Sequence, residues 1–526
     1  MMAWQVIAIA LIGALAGVES VLDEWQFHRP LIASTLIGWV LGDVHVGLVV
    51  GATLELIALG WMNIGAAQSP DTALASVIAT VLAIRGGSDT TQAIALGVPL
   101  AVAGNLTTVF VRTVTVYFQH MADRIGPQSR KHYLGYIHFG ALTLQALRVA
   151  IPAWLFAQYV SQSMILHLFQ ALPQTLTDGF TAASGFIVVV GYAMVIRSLQ
   201  VGLLMPYFFL GFLIADFSKI TLLGCGLVAG CLAYLHVRVF SKANEGVATE
   251  GFVDAQTTLR EIPRIVFWQT FWRSQFMQAS WNYERMLSVG YAYTLEPTLD
   301  HFYPPGETRQ ARKVRHLEFF NTQPYVANLV TGINMALEER LQAGDSSFDR
   351  MVTSIKMGMM GPLAGVGDSI FWGTLRPLVA SLGATIALRG SLLGPILFFV
   401  LWNIIRLGTR YSLLRYGYLF GTRIVHVIAT GVLRQVTEAA TIVGLIVMGA
   451  LIADWAHISF ALQWTLDHGQ VIKLNHIIDT LLPKFPQLLL VLFTLYLFRR
   501  GWGSVRVILL LFALAIGGVY AHLLAP

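Results

Sequence analysis

The chain has 526 residues, of which 56% are hydrophobic and 12% are charged, and its mean hydropathy is +0.66. Soluble domains carry about 25% charged residues, so this composition excludes an ordinary soluble protein and indicates a polytopic α-helical membrane protein. The formal net charge of +6 predicts no nucleic-acid partner, because the basic residues gather in short loops, as the positive-inside rule describes for cytoplasmic loops.

Apolar runs recur along the chain and predict roughly ten to fourteen spanning or re-entrant segments, given about 20 residues per span. A polar, small-residue-rich stretch at 241–258 interrupts them and predicts a linker. It separates a membrane domain, 1–240, from a second domain, 259–526. Within the second domain, 259–350 is richer in aromatic and charged residues and predicts interfacial or cytoplasmic helices. The membrane part resumes over 351–526.

The aromatic spacing over 267–276 is typical of an amphipathic helix. Tryptophan favours the membrane interface, so this helix is predicted to lie in the plane of the membrane surface. The same spacing also fits a packing face against the membrane part of the protein.

A polar, glycine-rich segment at 60–71 lies between two apolar runs. Its glycines and proline disfavour a simple helix, and such broken segments mark the substrate site in transporters. Asn63, Gln68 and Asp71 offer amide and carboxylate groups that can bind the hydroxyls of a neutral ligand, although Gln68 could instead cap the break. Glu55 is a further candidate because ionisable residues inside membranes are usually functional, unless it is protonated or paired for structure alone.

A second glycine-rich break is predicted at 358–368. Asp368 is the last residue of this segment and is predicted either to bind substrate or to cap the helix that comes next. Trp372 could stack on the face of a sugar ring or simply pack at a helix start. Asn321 and Gln323 belong to a polar cluster that either closes a substrate pocket or forms a satisfied turn at the membrane surface.

Several motifs carry a resemblance to one family. In the first domain, three motifs resemble the IIC membrane subunit of the mannose/fructose/sorbose family of the phosphotransferase system: 24–31 (EWQFHRPL), 51–67 (GATLELIALGWMNIGAA) and 70–71 (PD). In the second domain, four resemble its IID subunit: 280–286 (SWNYERM), 316–324 (HLEFFNTQP), 361–373 (GPLAGVGDSIFWG) and 392–395 (LLGP). IIC and IID are normally separate polypeptides, so the resemblance implies a fusion of the two.

The resemblance implies a sugar permease of the phosphoenolpyruvate-dependent phosphotransferase system, embedded in the bacterial cytoplasmic (inner) membrane as a homotrimer. It would translocate a hexose of the mannose/fructose/sorbose type and present it to a phosphorylated IIB component supplied by IIA. No catalytic residue, cofactor or metal is expected in this chain, since the phosphoryl-carrying histidines belong to IIA and IIB and the sequence contains no nucleotide-binding motif. The alternative is an ion-coupled secondary sugar transporter, in which Glu55 or Asp71 carries a proton.

Overall fold

A computed structural model describes most of the chain, and the account that follows is confined to these ranges: 1–59, 61, 70–86, 90–124, 133–159, 173–198, 202–218, 220, 222–240, 262–421, 433–465 and 471–525. These residues are almost entirely α-helical, which confirms the predicted all-α polytopic class. The predicted linker lies outside the described ranges.

The first part of the chain forms helices α1 to α9. Their bounds are α1 (Ala3–Leu22), α2 (Pro30–Leu41), α3 (Val44–Ile57), α4 (Thr72–Gly86), α5 (Thr90–Asp123), α6 (Tyr133–Tyr159), α7 (Gln174–Ser198), α8 (Met205–Ser218) and α9 (Leu222–Phe240). A short 3₁₀ turn, Gly202–Leu204, precedes α8.

The second part forms helices α10 to α20 and one small hairpin. The helices are α10 (Arg264–Ser274), α11 (Ser288–Phe302), α12 (Glu307–His316), α13 (Ala327–Gln342), α14 (Asp349–Gly367), α15 (Arg376–Leu388), α16 (Leu393–Phe420), α17 (Leu433–Trp455), α18 (Leu474–Leu481), α19 (Phe485–Arg499) and α20 (Ser504–Tyr520). A π-helical segment, Asp368–Leu375, joins α14 to α15. The antiparallel strands β1 (Gln463–Thr465) and β2 (Val471–Lys473) precede α18.

Five described segments are long and apolar enough to cross a membrane: Ala3–Leu22, Pro99–Asp123, Tyr133–Tyr159, Asp349–Leu388 and Leu393–Phe420. The number rises to six if Leu474–Thr480 and Phe485–Arg499, which meet at 86°, form one broken span. Shorter apolar helical stretches of 10–17 residues accompany them, among them Pro30–Leu41, Val44–Ile57 and Thr72–Gly86. Within the described residues, segments that pass as full spans are therefore fewer than the ten to fourteen spanning or re-entrant segments predicted from the apolar runs.

The packing of the helices does not follow their order in the chain. Helices α1 to α6 pack with α10 to α16, for example α3 against α15 and α6 against α11. Helices α7 to α9 pack mainly with α17 to α20, through the pairs α8–α17, α9–α17 and α7–α20, although α7 also contacts α3 and α5. Each of these two helix groups therefore combines the first and second parts of the chain.

Glycines allow the closest of these contacts. A Cβ built on Gly211 of α8 would collide with the carbonyl group of Ile446 in α17, and one on Gly449 of α17 would collide with the carbonyl oxygen of Phe208. Small residues at helix crossings let two backbones approach each other within a membrane. The α8–α17 contact thus depends on glycine from both parts of the chain.

The structure corrects one prediction at 358–368. This segment does not break or re-enter, because Asp349–Leu388 is continuously helical across it. Glycine and proline are tolerated inside membrane helices, where neighbouring groups compensate for the missing backbone bonds. A Cβ on Gly367 would lie 2.5 Å from Cβ of Gln323, whereas Gly358 and Gly361 face open space. Gly367 therefore serves close packing and not a chain reversal.

The segment 262–350 contains both exposed and deeply buried helices. Helix α10 exposes Ile265, Trp268 and Trp272 while burying Phe271, so it has the predicted amphipathic character, and its place at the membrane surface stays a prediction. Helix α13 is different, because every residue from 327 to 339 is buried. The sequence did not predict such a core helix in this region.

Candidate functional site

The turn between α1 and α2 carries two acidic residues that pair with arginines from the second part of the chain. Both carboxylate oxygens of Asp23 accept hydrogen bonds of 2.9 Å from Arg376. Glu24 accepts one of 2.9 Å from Arg406 and another from Arg410. The three arginines and Glu24 are almost completely buried. Buried charges need such pairing, so this turn ties the two parts of the chain together.

Asp23 is fixed in both its backbone and its side chain. Its φ of 52° is left-handed, its carbonyl accepts a 2.6 Å hydrogen bond from the hydroxyl of Tyr325, and its Oδ1 accepts one of 2.9 Å from Gln26. Burial alone would raise the pKa of Asp23, but Arg376, His28 and the hydrogen bond from Gln26 together outweigh burial and hold this pKa below its ordinary value. Asp23 is therefore an oriented, ionised carboxylate.

A cavity of about 210 Å³ lies beside this turn, between the two parts of the chain. Its walls come from the end of α1, from α5 and from the two irregular segments that precede α11 and α13. The end of α14 and the π-helical segment Asp368–Leu375 complete the walls. The lining residues are Val21, Asp23, Arg112, Gln278, Trp281, Leu287, Asn321, Thr322, Gln323, Pro324, Ala364, Asp368 and Trp372. We call this space the interface cavity.

Asn321 and Gln323 reach the interface cavity from a turn anchored on α14. The backbone N–H of Asn321 donates to Sδ of Met360 (3.1 Å), and the hydroxyl of Thr322 donates to the backbone carbonyl of Met360 (3.0 Å). Oε1 of Gln323 accepts the backbone amides at 325 and 326, at 2.8 and 3.1 Å. Its Nε2 is buried and has no hydrogen-bond partner among the residues that the structure describes. The turn therefore leaves one amide donor available to a ligand.

Asp368 and Trp372 enter the interface cavity from the π-helical segment. The backbone amide of Asp368 donates to the carbonyl of Ala364 within the continuous helix, so the alternative that Asp368 caps a new helix is wrong. Within the described ranges, its carboxylate has no ion pair or hydrogen bond. Trp372 stacks on Trp402 with centroids 6.1 Å apart, and Arg376 lies over its ring at 4.2 Å. π-Helical turns are frequent at functional sites.

The structure does not bring Glu55 or Asp71 into the wall of the interface cavity. Glu55 is buried and accepts a 2.8 Å hydrogen bond from Nε of Arg29. Oδ1 of Asp71 accepts the amides that open α4, and its Oδ2 pairs with Arg148. Both carboxylates thus have structural partners. Asn63 and Gln68 lie outside the described residues.

Five polar or aromatic lining residues were not predicted: Asp23, Arg112, Gln278, Trp281 and Thr322. Arg112 carried a usable signal, because it is an arginine inside the span Pro99–Asp123, and charged residues in spans are rare and functional. Asp23 directly precedes the motif at 24–31. Trp281 belongs to the motif at 280–286, but nothing in that motif marks it as a cavity residue, and Gln278 has no local signal. The packing of the two parts of the chain brings both residues to the cavity.

The chemistry of the interface cavity suits a small neutral polyol. Its unpaired groups comprise hydrogen-bond donors and acceptors, and a hydroxyl group can satisfy either kind. Two tryptophan rings supply apolar surface, as is usual for small-molecule sites. A membrane protein with such a cavity between packed helices is of the class of small-solute permeases.

Comparison with known proteins identifies the family. Residues 3–235 match the family described as the sorbose-specific IIC component of the phosphotransferase system. Residues 261–524 match the family described as the IID component of the mannose/fructose/sorbose family of that system. The chain therefore belongs to the mannose/fructose/sorbose family of the phosphotransferase system and unites IIC and IID in one polypeptide. It is a sugar permease of the bacterial inner membrane that works with IIA and IIB components. Nothing in these matches supports the ion-coupled alternative.

Individual relatives match each part of the chain separately. The mannose-specific IIC component of Escherichia coli (strain K12) is 48% identical over 46% of this chain and 90% of its own length, and the mannose-specific IID component of that strain is 43% identical over 51% and 97%. The sorbose-specific IIC component of Klebsiella pneumoniae is 50% identical over 45% and 88%. A cryo-EM structure of the mannose transporter ManYZ with microcin E492 matches at 43% identity, covering 50% of this chain and 99% of that chain, with a TM-score of 0.31.

Proposed function

We propose that the transported hexose binds in the interface cavity. The observation that carries this proposal is that Asn321, Gln323, Asp368 and Trp372, each a sugar-binding candidate from sequence alone, line one cavity although they come from two separate segments. A volume of about 210 Å³ is below the roughly 300–1,000 Å³ typical of pockets for drug-sized ligands, so it suits a monosaccharide.

In this proposal each of the four residues has a distinct role. Asp368 accepts hydrogen bonds from sugar hydroxyls, because its carboxylate has no other partner among the described residues. The free Nε2 of Gln323 and the side chain of Asn321 donate to hydroxyl oxygens. Trp372 presents ring surface to the apolar face of the sugar.

The residues of the segment 60–71 complete the proposal. Asn63, Gln68 and Asp71 are proposed to contact the sugar from the opposite side, and Glu55 to support that side through its pair with Arg29. For Asp71, the structural pairing with Arg148 and a role towards the sugar can be separated by experiment.

Transport and phosphorylation are proposed to be coupled. The permease holds the hexose so that its acceptor hydroxyl meets the phosphohistidine of IIB at the cytoplasmic face, and positioning of this kind lowers the barrier by removing translational and rotational freedom. The relatives are named for mannose, sorbose and fructose, and we propose a hexose of this type for this chain.

Two larger-scale features also belong to the proposal. The chain is proposed to divide at 241–258 into a IIC domain, 1–240, and a IID domain, 259–526. It is further proposed to form a homotrimer, as its resemblance to the family implies. Mass measurement of the purified protein in detergent tests the trimer, and a monomer would contradict it.

The site is tested by sugar binding to the purified permease without IIB. Asp368→Asn keeps the shape of the side chain and removes its charge, and hydrogen bonds to charged groups contribute about 1.5–3 kcal/mol. We therefore expect hexose affinity, measured by calorimetry with mannose, fructose and sorbose, to fall at least roughly ten-fold. Asp349→Asn is the matched control, because Asp349 begins the same helix and is half-exposed, away from the cavity. Wild-type affinity in Asp368→Asn would refute the proposed site.

A further inference from the structure

Arg112 is a charged residue of the interface cavity that has no role in the hexose site proposed above. It lies in α5, within the span Pro99–Asp123, and only 4% of its surface is exposed. Its guanidinium lies over the ring of Trp281, 4.7 Å from the centroid. Trp281 also lines the cavity and is 5% exposed. The tryptophan therefore supports one face of the guanidinium at the cavity wall.

Among the described residues, Arg112 differs from the other deeply buried arginines in having no carboxylate partner. Each of the others forms an ion pair, in the pairs Arg29–Glu55, Arg148–Asp71, Arg376–Asp23, Arg406–Glu24 and Arg410–Glu24. Within the described ranges, no hydrogen bond or ion pair involves the guanidinium of Arg112, and its Nε is buried without a partner. An unpaired buried charge is costly, so its presence at a cavity calls for a ligand.

The interface cavity offers both kinds of hydrogen-bonding group. Asp23 is paired with Arg376, so among the described lining residues the guanidinium of Arg112 and the carboxyl group of Asp368 have no ion pair. A donor group and an acceptor group on one cavity wall match a neutral ligand whose hydroxyls both accept and donate hydrogen bonds.

We propose that Arg112, held in place by Trp281, binds the transported hexose by donating hydrogen bonds to neighbouring sugar hydroxyls. The planar guanidinium has its donors in a fixed fork, so it can bridge two adjacent hydroxyl oxygens and select for their arrangement. Arg112 is thus a specificity-determining residue. This inference rests on the proposed hexose site and adds to it a residue from the first part of the chain.

The inference makes stability and binding respond in opposite directions. Arg112→Met keeps much of the side-chain volume and removes a buried charge with no partner. We expect the thermal midpoint of the ligand-free protein to stay the same or rise, and hexose affinity to fall at least roughly ten-fold. The matched control is Arg29→Met, which removes an equally buried arginine away from the cavity. That variant leaves Glu55 without its partner and should lower the midpoint.

Monodeoxy analogues of the bound hexose identify the contact itself. Removing the hydroxyl that Arg112 binds should weaken binding to the wild type but cause no further loss in Arg112→Met. Hexose 6-phosphate and inorganic phosphate serve as probes for anion binding. Either anion binding the wild type more tightly than the hexose, and losing that binding in Arg112→Met, would overturn recognition of neutral hydroxyls.

The remaining outcomes separate this inference from the proposed site. Normal hexose binding by Arg112→Met together with weak binding by Asp368→Asn would overturn the inference and leave the site intact. Normal binding by both variants would refute the site, and the inference with it. A fall in thermal midpoint as large as that of Arg29→Met would also overturn the inference, because it would show that Arg112 stabilises the fold.

Discussion

The pair formed by Asp71 and Arg148 allows the effect of one substitution to be worked out from the structure. The side chains are only 1% and 2% exposed, and removing one partner of a buried ion pair costs about 3–5 kcal/mol. Alanine at 71 also removes the acceptor for the amides of Ala73 and Leu74, at 3.1 and 3.3 Å, an N-cap contributing about 1 kcal/mol. We expect Asp71→Ala to lower the free energy of unfolding by about 4–6 kcal/mol.

Two further variants separate the two contributions. Asp71→Asn keeps the N-cap acceptor and removes the charge, so its loss should be smaller than that of alanine by about 1 kcal/mol. Adding Arg148→Met to Asp71→Ala removes the uncompensated charge and should restore part of the stability, since apolar replacement of a whole buried pair is often tolerated. Denaturant titration of the purified protein in detergent, followed by tryptophan fluorescence, measures all three variants.

The same measurements decide between the two roles of Asp71. If Asp71→Ala unfolds within about 1 kcal/mol of the wild type, the buried pair does not have the stabilising role assigned to it. Loss of hexose binding in a variant of that normal stability would favour direct contact with the sugar. The opposite result is that Asp71→Ala is strongly destabilised while the double variant with Arg148→Met regains both stability and hexose binding. That result would show that Asp71 has a structural role alone.

The remaining predictions concern assembly and packing. Cleavage at a protease site inserted at 241–258 should leave the two parts of the chain bound to each other, because the buried pairs Asp23–Arg376 and Glu24–Arg406 do not depend on the linker. Size-exclusion chromatography after cleavage measures this, and separate elution of the two parts would contradict the prediction. Gly367→Val should lower the thermal midpoint and weaken hexose binding, because a Cβ at 367 would lie 2.5 Å from Cβ of Gln323. Gly361→Val is the control, because Gly361 faces open space on the same helix, and it should leave both the midpoint and hexose binding unchanged. Equal behaviour of the two valine variants would contradict the prediction.

Sequence patterns identified the class of fold and part of the cavity wall. Glu55, Asp71 and Asp368 were recognisable as candidates because ionisable residues stand out beside apolar runs. Asp368 lines the cavity, and its contact with a sugar stays a prediction. The partners of Glu55 and Asp71 were not recognisable, since Asp71 meets Arg148 only through the packing of distant helices. A buried carboxylate is stabilised equally by an arginine or by a ligand, so its presence in the sequence does not reveal which of the two it has. That ambiguity explains why Glu55 and Asp71 were grouped with Asp368.

The prediction of a break at 358–368 failed for a related physical reason. Glycine lowers helix propensity in water, but in a membrane the unsatisfied backbone of a break is more costly than the glycine. The helix therefore continues, and glycine is used where another segment approaches closely. The sequence shows that the segment is rich in glycine. It does not show that Gly367 is needed because Gln323, on a neighbouring segment, packs against it.

The mixed packing of the two parts of the chain has a consequence for biogenesis. While the ribosome is still translating the second part, Glu24 has neither of its arginines, and the glycine face of α8 has no helix to cover it. Until α16 and α17 have been inserted, the first part lies in the membrane with the carboxylate of Glu24 unpaired, although this carboxylate is buried in the complete protein. A single chain guarantees that the missing helices arrive next to it, in equal number and after a fixed delay. Joining the two subunits thereby shortens the time during which an incomplete permease is exposed to lipid and to quality-control proteases.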